Sequence, residues 1–321
     1  MAERITAGLD RYTDAKVLVE GHDLAGRRVI VTGGATGIGI ETVRALAGAG
    51  AEVTIAVRNK AAGKQAAAEI NAELGTAKVD VGLVDLSDLA TVGGFVRAWG
   101  ERPLHILINN AGVMACPQSY TADDLEMQIG TNHFGHTALT LGLARALMNG
   151  AEGGRTARVV QLSSIGHVRS DINWGDPNYR SRGYEKWEAY GQSKTANSLF
   201  AVGFNQRFAD LGVTANAVMP GGIMTPLQRH LPMTEQIAMG WINAQGEVAQ
   251  GFKTPAQGAS TSVWAAVGDE LEGVGGLYLE NLAQARPWGE APREGVTEYA
   301  LSAEGAERLW ALTEETLGVS A

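Results

Sequence analysis

The chain has 321 residues, of which 45% are hydrophobic and 19% are charged, a composition typical of a globular protein with one large core. Its net charge of −9 argues against broad binding to nucleic acid or to anionic membranes, because such binding needs a basic face. Cys116 is the only cysteine, which excludes an internal disulfide and a cysteine-rich metal site and fits a reducing compartment.

The N-terminal region, residues 1–23, predicts an arm that packs on the outside of the domain. It carries no strong periodicity, although Ala15–Val19 is compatible with a short helix or strand. The chain contains no run of 18 apolar residues, and residues 1–21 are charged and mixed, so we expect neither a membrane anchor nor a signal peptide. A cytoplasmic protein is therefore predicted.

A glycine-rich turn follows the first strand pattern. A β-branched run ends at Thr32, the turn continues as Gly33-Gly34-Ala35-Thr36-Gly37-Ile38-Gly39, and an amphipathic helix extends to Gly48. Gly33 suits the tight turn, Gly37 lets backbone N–H groups approach an anion, and Gly39 lets the helix pack on the strand. Because the positive end of the helix lies beside it, this turn favours the binding of a pyrophosphate. The alternative is a plain strand-to-helix corner, which would use similar glycines.

Strands and helices alternate from residue 29 onward, which predicts an α/β fold with a mainly parallel sheet of seven strands and helices on both faces. We expect one doubly wound domain over residues 24–285 and a tail with a helix over 286–321. After the strand that ends at Thr32, the predicted strands are Val53–Val57, Lys78–Val84, Leu104–Asn109, Ala157–Leu162, Val213–Met219 and Gly275–Glu280. After the helix that ends at Gly48, the predicted helices are Ala61–Leu74, Leu89–Trp99, Ala122–Met148, Trp187–Leu211, Pro255–Val267 and Ala303–Leu317.

The end of the second strand bears on the choice of cofactor. In dinucleotide-binding folds a carboxylate about 20 residues after the glycines binds a free ribose 2′-hydroxyl, whereas an arginine accommodates a 2′-phosphate. Here the strand ends with Arg58 and no acid, and the hydroxyl of Thr36 could contact the same phosphate. NADP(H) is therefore favoured, with NAD(H) possible, and the alternative is that Arg58 is an ordinary solvated surface residue.

Polar residues with catalytic potential come next along the chain. Tyr190 and Lys194 are separated by four residues on a predicted helix, so their side chains share one face. A nearby ammonium should lower the pKa of the phenol, which makes Tyr190 a general acid or base. Ser164, at the end of the fifth strand, would hydrogen-bond the same substrate oxygen, and Ser163 is the alternative serine. Asn132 is expected to kink its helix and to free a backbone carbonyl for a water.

These motifs together resemble those of the short-chain dehydrogenase/reductase family. The glycine turn is similar to its T-G-x-x-x-G-I-G pattern, and N-N-A-G, Tyr-x-x-x-Lys and P-G-x-x-x-T follow in the family's order. The resemblance covers about residues 24–285 and implies a Rossmann domain with Asn132, Ser164, Tyr190 and Lys194 as catalytic residues. It also implies a set of cofactor-binding residues: Gly33, Thr36, Gly37, Ile38, Gly39, Arg58, Asp85, Leu86, Asn110, Ala111, Gly112, Tyr190, Lys194, Pro220, Gly221, Ile223 and Thr225.

Within that family, the sequence Asn132-His133-Phe134-Gly135-His136 and the 26 residues from Ser164 to Tyr190 resemble the retinol-dehydrogenase and WW-domain-oxidoreductase-like subgroup. No membrane anchor or WW domain is visible, so a membrane retinoid role is not implied. The histidines lack metal-ligand spacing, and we expect no metal site. The resemblance also implies that Asp85 contacts the adenine ring of the cofactor. The alternative is that Asp85 caps the helix Leu89–Trp99, and Ser87 could supply the same cap.

The resemblance implies an NADP(H)-dependent oxidoreductase that interconverts an apolar secondary alcohol, or a primary alcohol and aldehyde, with its carbonyl. A catalytically idle NADP-binding sensor or scaffold is the alternative. A sugar-nucleotide epimerase is not favoured, since its T-G-x-x-G-x-x-G turn is absent.

Two segments, residues 165–186 and 222–252, are expected to cover a small-molecule substrate, an apolar and fairly bulky alcohol or carbonyl compound. The apolar residues of the second are Met224, Leu227, Leu231, Met233, Ile237, Met239, Trp241 and Ile242. A helix packed on the core would show the same residues, but Pro226 and Pro232 favour an irregular lid. A homodimer or homotetramer is expected through the helices Ala122–Met148 and Trp187–Leu211. The second of these helices carries an apolar stripe: Ala196, Leu199, Phe200, Gly203 and Phe204.

Overall fold

The computed structural model describes residues 4–151, 153–291 and 293–319. Residues 1–3 of the predicted arm and residues 320–321 of the predicted tail lie outside the described residues. The remainder of the arm packs on the domain, where Ala15–Val19 forms a 3₁₀ turn and Thr6 bridges to Ala283.

Within the described residues, eight strands form one sheet in the order β3-β2-β1-β4-β5-β6-β7-β8. They are β1 (Arg28–Thr32), β2 (Glu52–Val57), β3 (Val79–Leu83), β4 (Ile106–Asn109), β5 (Ala157–Leu162), β6 (Val213–Met219), β7 (Tyr278–Glu280) and β8 (Ala283–Gln284). Strands β1 to β7 run parallel, and β8 pairs antiparallel with β7. The mainly parallel α/β sheet is confirmed, and the predicted count of seven strands was one too few.

The additional strand follows a hairpin turn at Asn281 and Leu282, whose φ angles are +48° and +59°. Asparagine tolerates this left-handed region, whereas leucine rarely adopts it, so the sequence carries no turn signal at Leu282. The Leu282 side chain is fully buried, and its carbonyl accepts hydrogen bonds from the Ala7 N–H and the Thr6 hydroxyl. The turn is therefore imposed by packing and by the arm.

Helices cover both faces of the sheet. The described helices are α1 (Gly37–Gly48), α2 (Lys60–Leu74), α3 (Leu89–Trp99), α4 (Met127–Ile129), α5 (Gly135–Gly142), α6 (Ala144–Gly150), α7 (Lys186–Phe208), α8 (Met233–Ala238), α9 (Pro255–Val267) and α10 (Ala303–Leu317). Alternating strand side chains separate two cores: Val29 and Val31 pack with α1, α2 and α9, and Ile30 packs with α3, α5, α7 and α10. The doubly wound arrangement is confirmed.

The helical region predicted over Ala122–Met148 differs from the structure. It begins at Met127, because Asp124 has a φ of +60° and the Glu126 carboxylate caps the N–H groups of Gln128 and Ile129. Residues Gly130–Phe134 form a π-helical turn instead of regular α-helix. A π turn of this kind widens the backbone and is frequent at functional sites.

The apolar stripe that predicted a subunit interface is covered by the chain's own C-terminal helix. All five stripe residues are buried, the Phe200 ring stacks on Trp310 of α10, and a Cβ at Gly203 would contact Ala306. Packing within one chain therefore explains this stripe, and the choice of this face was wrong. None of the described helices combines the length and apolar character needed to cross a bilayer.

Candidate active site

The candidate site lies where the strand order reverses, at the carboxyl ends of β1 and β4. This crevice is the usual ligand position in open parallel sheets. Gly33 and Gly37 have φ angles of +64° and +58° there, a conformation that favours glycine. A Cβ at Gly39 would overlap the carbonyl oxygen of Gly33 and lie 2.7 Å from Asn110 Nδ2. The turn thus keeps its close approach only with glycine at this position.

The first turn of α1 offers free backbone donors. Thr36 occupies the N-cap position, is exposed, and makes no side-chain bond to the first-turn N–H groups. These donors are therefore free to bind an anion at the positive end of the helix. The threonine methyl of Thr225 comes within 3.2 Å of a Cβ built on Gly37. The turn after β6 therefore lies against the start of α1.

Other predicted cofactor residues surround the same crevice. Pro220 and Gly221 follow β6, where Gly221 has a φ of +109°, and Ile38 and Ile223 both approach Gly258 of α9. Arg58 is exposed at the end of β2. Burial and the positive charge of Arg58 lower the pKa of Arg229.

Asp85 and Leu86 follow β3. Asp85 Oδ1 accepts hydrogen bonds from the Ser87 N–H (3.0 Å) and hydroxyl (2.6 Å). The side chain that caps α3 is Asp88, which accepts from the N–H groups of Ala90 and Thr91. The suggestion that Asp85 or Ser87 caps this helix was therefore wrong.

The turn after β4 joins the glycine turn to the catalytic residues. The N–H groups of Asn110 and Ala111 donate to Thr32 Oγ1 at 2.9 and 3.0 Å. A Cβ at Gly112 would lie 3.1 Å from Asn132 Oδ1 and 3.9 Å from Lys194 Nζ. A small residue at 112 therefore lets this turn reach the predicted catalytic group.

Asn132 is fully buried at the centre of the π turn. Its amide exchanges two hydrogen bonds with the backbone of Val113, at 2.8 and 2.9 Å, and donates to Ser193 Oγ at 2.9 Å. Its backbone carbonyl accepts a hydrogen bond of 2.9 Å from His136 Nδ1. The carbonyl that was expected to bind a water is thus held by a side chain one turn later.

Tyr190 and Lys194 are both 5% exposed on α7, and Lys194 Nζ lies 5.7 Å from the centroid of the Tyr190 ring. Burial raises the pKa of Tyr190 to about 12, opposed by a hydrogen bond with Ser164. Burial also lowers the pKa of Lys194 to about 7, and its ammonium donates to the Leu162 carbonyl at 2.9 Å. Burial thus raises the pKa of the phenol, whereas the neighbouring lysine was expected to lower it.

The two serines at the end of β5 differ in their surroundings. Ser163 is buried, and its hydroxyl donates to the Lys194 carbonyl and accepts from Ser198, both at 2.9 Å. Ser164 is partly exposed, and its hydroxyl accepts from the Gly166 N–H at 3.0 Å and interacts with the Tyr190 phenol. Ser164 is therefore the serine directed towards the tyrosine.

Two buried histidines contact this group and were not predicted to do so. His136 contacts Asn132, and His167 Nδ1 lies 2.8 Å from the Ser164 carbonyl while its Nε2 accepts from the Thr297 N–H of the tail. Burial lowers the pKa of His136 to about 3 and that of His167 to about 4, so both rings are neutral at physiological pH. The only available signal was their spacing, four residues after Asn132 and three after Ser164. In the described parts of the chain, no group of three acidic, histidine or cysteine side chains is arranged to hold a metal ion.

The space beside Tyr190 is apolar. Its ring forms a buried cluster with Met114, Ala115 and Leu231, and three more side chains pack on that cluster: Trp187, Leu227 and Trp241. We call these seven residues the apolar cluster.

Three members of the apolar cluster come from residues 222–252, which form an irregular segment with a 3₁₀ turn (Pro226–His230) and the short helix α8. Glu235 of α8 accepts from Lys186 Nζ at 2.6 Å and from Trp187 Nε1 at 2.8 Å. The segment is thus fastened to the start of α7. Residues 165–186 are also ordered by hydrogen bonds, since the Asp176 carboxylate accepts from three N–H groups between 180 and 182.

Comparison with known proteins identifies relatives over nearly the whole chain. Residues 27–236 match the family model described as "short chain dehydrogenase". The chain is 46% identical to a "Probable oxidoreductase" of Streptomyces lividans, over 92% of this chain and 99% of that protein. It is 39% identical to retinol dehydrogenase 12 of Mus musculus, over 92% of this chain and 88% of that protein. A crystal structure of an uncharacterized protein from Mycobacterium paratuberculosis is 34% identical, with a TM-score of 0.71 over 93% of this chain and 96% of that one. RhlG of Pseudomonas aeruginosa, solved as an NADP active-site complex, is 27% identical, with a TM-score of 0.58 over 76% and 90%.

Proposed function

Because the chain belongs to the short-chain dehydrogenase/reductase family, and is thus an NAD(P)-dependent oxidoreductase of CH–OH groups, we propose that it uses NADP(H) to interconvert a bulky apolar secondary alcohol and its ketone. Primary alcohols and their aldehydes are the second substrate class. The observation that carries this proposal is the apolar cluster packed against the ring of the buried Tyr190. We infer a cytoplasmic protein from the cysteine content.

The residues of the crevice fit a dinucleotide. The uncapped N-terminus of α1 would hold the pyrophosphate, and the close approach at Gly39 leaves no room for a larger side chain there. Arg58, exposed at the end of β2, would supply positive charge for a 2′-phosphate. When bound, the nicotinamide supplies or accepts the hydride at the substrate carbon. RhlG, a relative of the same fold, binds NADP, which supports the choice of cofactor.

Tyr190 acts as the general acid or base on the substrate oxygen in this proposal. With a pKa of about 12 the phenol is protonated at neutral pH, which is the form that donates a proton to the oxygen as a carbonyl is reduced. Ser164 interacts with the phenol and would orient the same oxygen. Lys194 and Asn132 hold the backbone at Leu162 and Val113 on either side, which fixes the geometry of the group.

The apolar cluster would select the substrate. Leu227, Leu231 and Trp241 belong to residues 222–252 and pack with Met114 and Tyr190, so a substrate oxygen near the phenol would have apolar neighbours. The bonds from Glu235 to the start of α7 would hold this lid closed and exclude water. Retinol dehydrogenase 12, named for an apolar alcohol, is a relative that supports this substrate class.

A panel of carbonyl compounds with NADPH and NADH tests the proposed function. We expect kcat/KM for long-chain or aromatic ketones to exceed that for small hydrophilic or carboxylated carbonyls, because each buried CH₂ contributes about 0.8 kcal/mol. Oxidation or formation of NADPH is followed by its absorbance. Preference for sugars or anionic carbonyls would contradict the apolar lid, and no turnover of any carbonyl or alcohol would favour the idle NADP-binding protein.

The cofactor choice is tested at the end of β2. Arg58→Asp should lower the ratio of kcat/KM for NADPH over NADH by about 10–100-fold, because a charge-assisted hydrogen bond is lost and the carboxylate repels a 2′-phosphate. Lys64→Asp is the matched control, since it makes the same charge change at an exposed position further along α2. A wild-type preference for NADH, or an equal change in both variants, would show that the assignment to Arg58 is wrong.

A further inference from the structure

We propose that His136 is a positioning residue that connects the catalytic π turn to the cofactor-binding turns as a neutral imidazole with its proton on Nδ1. The ring is fully buried, with Nδ1 2.9 Å from the Asn132 carbonyl oxygen and Nε2 2.8 Å from Thr32 Oγ1. The inference rests on the proposed function, in which Asn132 belongs to the catalytic group.

The hydrogen bonds around Thr32 determine the tautomer. A hydroxyl has one proton and two lone pairs. Thr32 Oγ1 accepts from two backbone N–H groups, those of Asn110 and Ala111, so both lone pairs are used. Its proton is then directed to His136 Nε2 at 2.8 Å, since the alternative acceptor, the Ile108 carbonyl, lies 3.4 Å away. With Nε2 accepting, Nδ1 carries the proton and donates it to the Asn132 carbonyl.

A protonated imidazolium would break this network. It would direct an Nε2–H at a hydroxyl oxygen with no lone pair left, so one buried donor would lose its partner. Burial keeps the ring neutral and lowers its pKa to about 3, and the positive charge of Lys194 acts in the same direction. A second titratable neighbour, His133, is itself fully buried with a pKa lowered to about 3. His136 therefore keeps one charge state and one tautomer through the working pH range.

The consequence is a rigid link between three elements of the site. Thr32 ends β1, Asn110 and Ala111 form the turn after β4, and Asn132 is the centre of the π turn. The hydrogen bond at Nε2 fixes the cofactor-binding side, and the hydrogen bond at Nδ1 fixes the carbonyl of Asn132. The Asn132 amide continues the link to Ser193 on α7, between Tyr190 and Lys194.

Two substitutions of His136 remove its two hydrogen bonds one at a time. In His136→Asn the amide can replace Nδ1 and reach the Asn132 carbonyl, but it is too short to reach Thr32. In His136→Gln the amide can replace Nε2 at Thr32 and leaves the Asn132 carbonyl without its donor. We expect His136→Asn to keep kcat within about threefold and to weaken NADPH binding about tenfold, the scale of one buried hydrogen bond. We expect the reverse for His136→Gln, with kcat lowered about tenfold and NADPH affinity almost unchanged.

A merely structural histidine would give a different result. It would lower the melting temperature in both variants and reduce kcat and NADPH affinity together, and that outcome would overturn the proposal. Tyr190→Phe separates this test from that of the proposed function. If Tyr190→Phe is inactive but the two His136 variants do not differ in the expected way, only the role of His136 is rejected. If His136→Asn loses NADPH affinity and His136→Gln loses kcat while Tyr190→Phe stays active, only the catalytic assignment of Tyr190 is rejected.

If both variants fail to fold, the wild-type enzyme still provides a test. Nitrogen chemical shifts of the six ¹⁵N-labelled histidine rings report which nitrogen carries the proton. We expect His136 to show a neutral ring with its proton on Nδ1, unchanged between about pH 5 and 8, because its pKa is about 3. A ring protonated on Nε2, or one that titrates in this range, would refute the link.

Discussion

Replacing Tyr190 with phenylalanine should lower kcat by about 10²–10⁴-fold and leave the Kd for NADPH within about twofold, because only the hydroxyl that moves the proton is lost. The ring itself would remain in place: it packs edge-on against Trp187 with 6.2 Å between centroids and lies close above Gly166. Stopped-time assays with the best ketone of the panel, together with calorimetric titration of NADPH, measure both quantities.

Tyr179→Phe is the matched control for this variant. Tyr179 is also a buried tyrosine, it lies in the loop before α7, and it is not a member of the apolar cluster. Its loss of a hydroxyl should leave turnover within about twofold of the wild type. A near-normal rate in Tyr190→Phe, or an equal loss in both variants, would reject Tyr190 as the acid or base.

Several element boundaries could be predicted from the sequence because local signals determine them. Helix α9 begins at Pro255 after a capping box formed by Thr254 and Gln257, and α10 begins after Ser302 and ends before Gly318 in the left-handed conformation. Both helices have the predicted bounds. Strands β5 and β6 were also predicted with the observed bounds. Both are buried along their whole length, although each contains polar residues: Arg158 and Gln161 in β5, and Thr214 and Asn216 in β6.

Other features depend on residues far apart in the sequence. An apolar stripe on α7 shows that something covers it, but periodicity does not distinguish a second subunit from the chain's own α10. The left-handed Leu282 depends on the arm, about 275 residues away, and carries no turn signal. Tertiary packing overrides local preference at both positions.

In the candidate site, too, some features follow from local sequence and others depend on the whole fold. The motif residues were predicted to come together, and the structure does bring Gly112, Asn132, Ser164, Tyr190 and Lys194 into one group. The pKa of the phenol was predicted in the wrong direction, because the degree of burial follows from the whole fold. The partners of His136 and His167 were missed for the same reason: Thr32 and Thr297 lie more than 100 residues from the histidines they contact.

A substitution in the glycine-rich turn, Gly39→Ala, is expected to have the second large effect. A Cβ at Gly39 would overlap the Gly33 carbonyl oxygen and lie 2.7 Å from Asn110 Nδ2, and both neighbours are held by their own hydrogen bonds. Gly39→Ala must therefore displace the turn or the start of α1, at a cost of about 1–3 kcal/mol. Gly48→Ala, at the other end of the same helix, is the matched control, because its Cβ would meet only Leu74 Cδ2 at 3.8 Å.

We expect Gly39→Ala to weaken NADPH binding by about 10–100-fold and to lower the melting temperature, since the strain falls on the backbone that would hold the pyrophosphate. Gly48→Ala should bind NADPH as the wild type does and should be more stable by about 0.5–1 kcal/mol, because alanine loses less backbone entropy in a helix. Calorimetric titration with NADPH and thermal unfolding of the three proteins measure both effects. If Gly39→Ala lowers the melting temperature while its NADPH affinity equals that of the wild type, the turn is a structural corner and the pyrophosphate binds elsewhere.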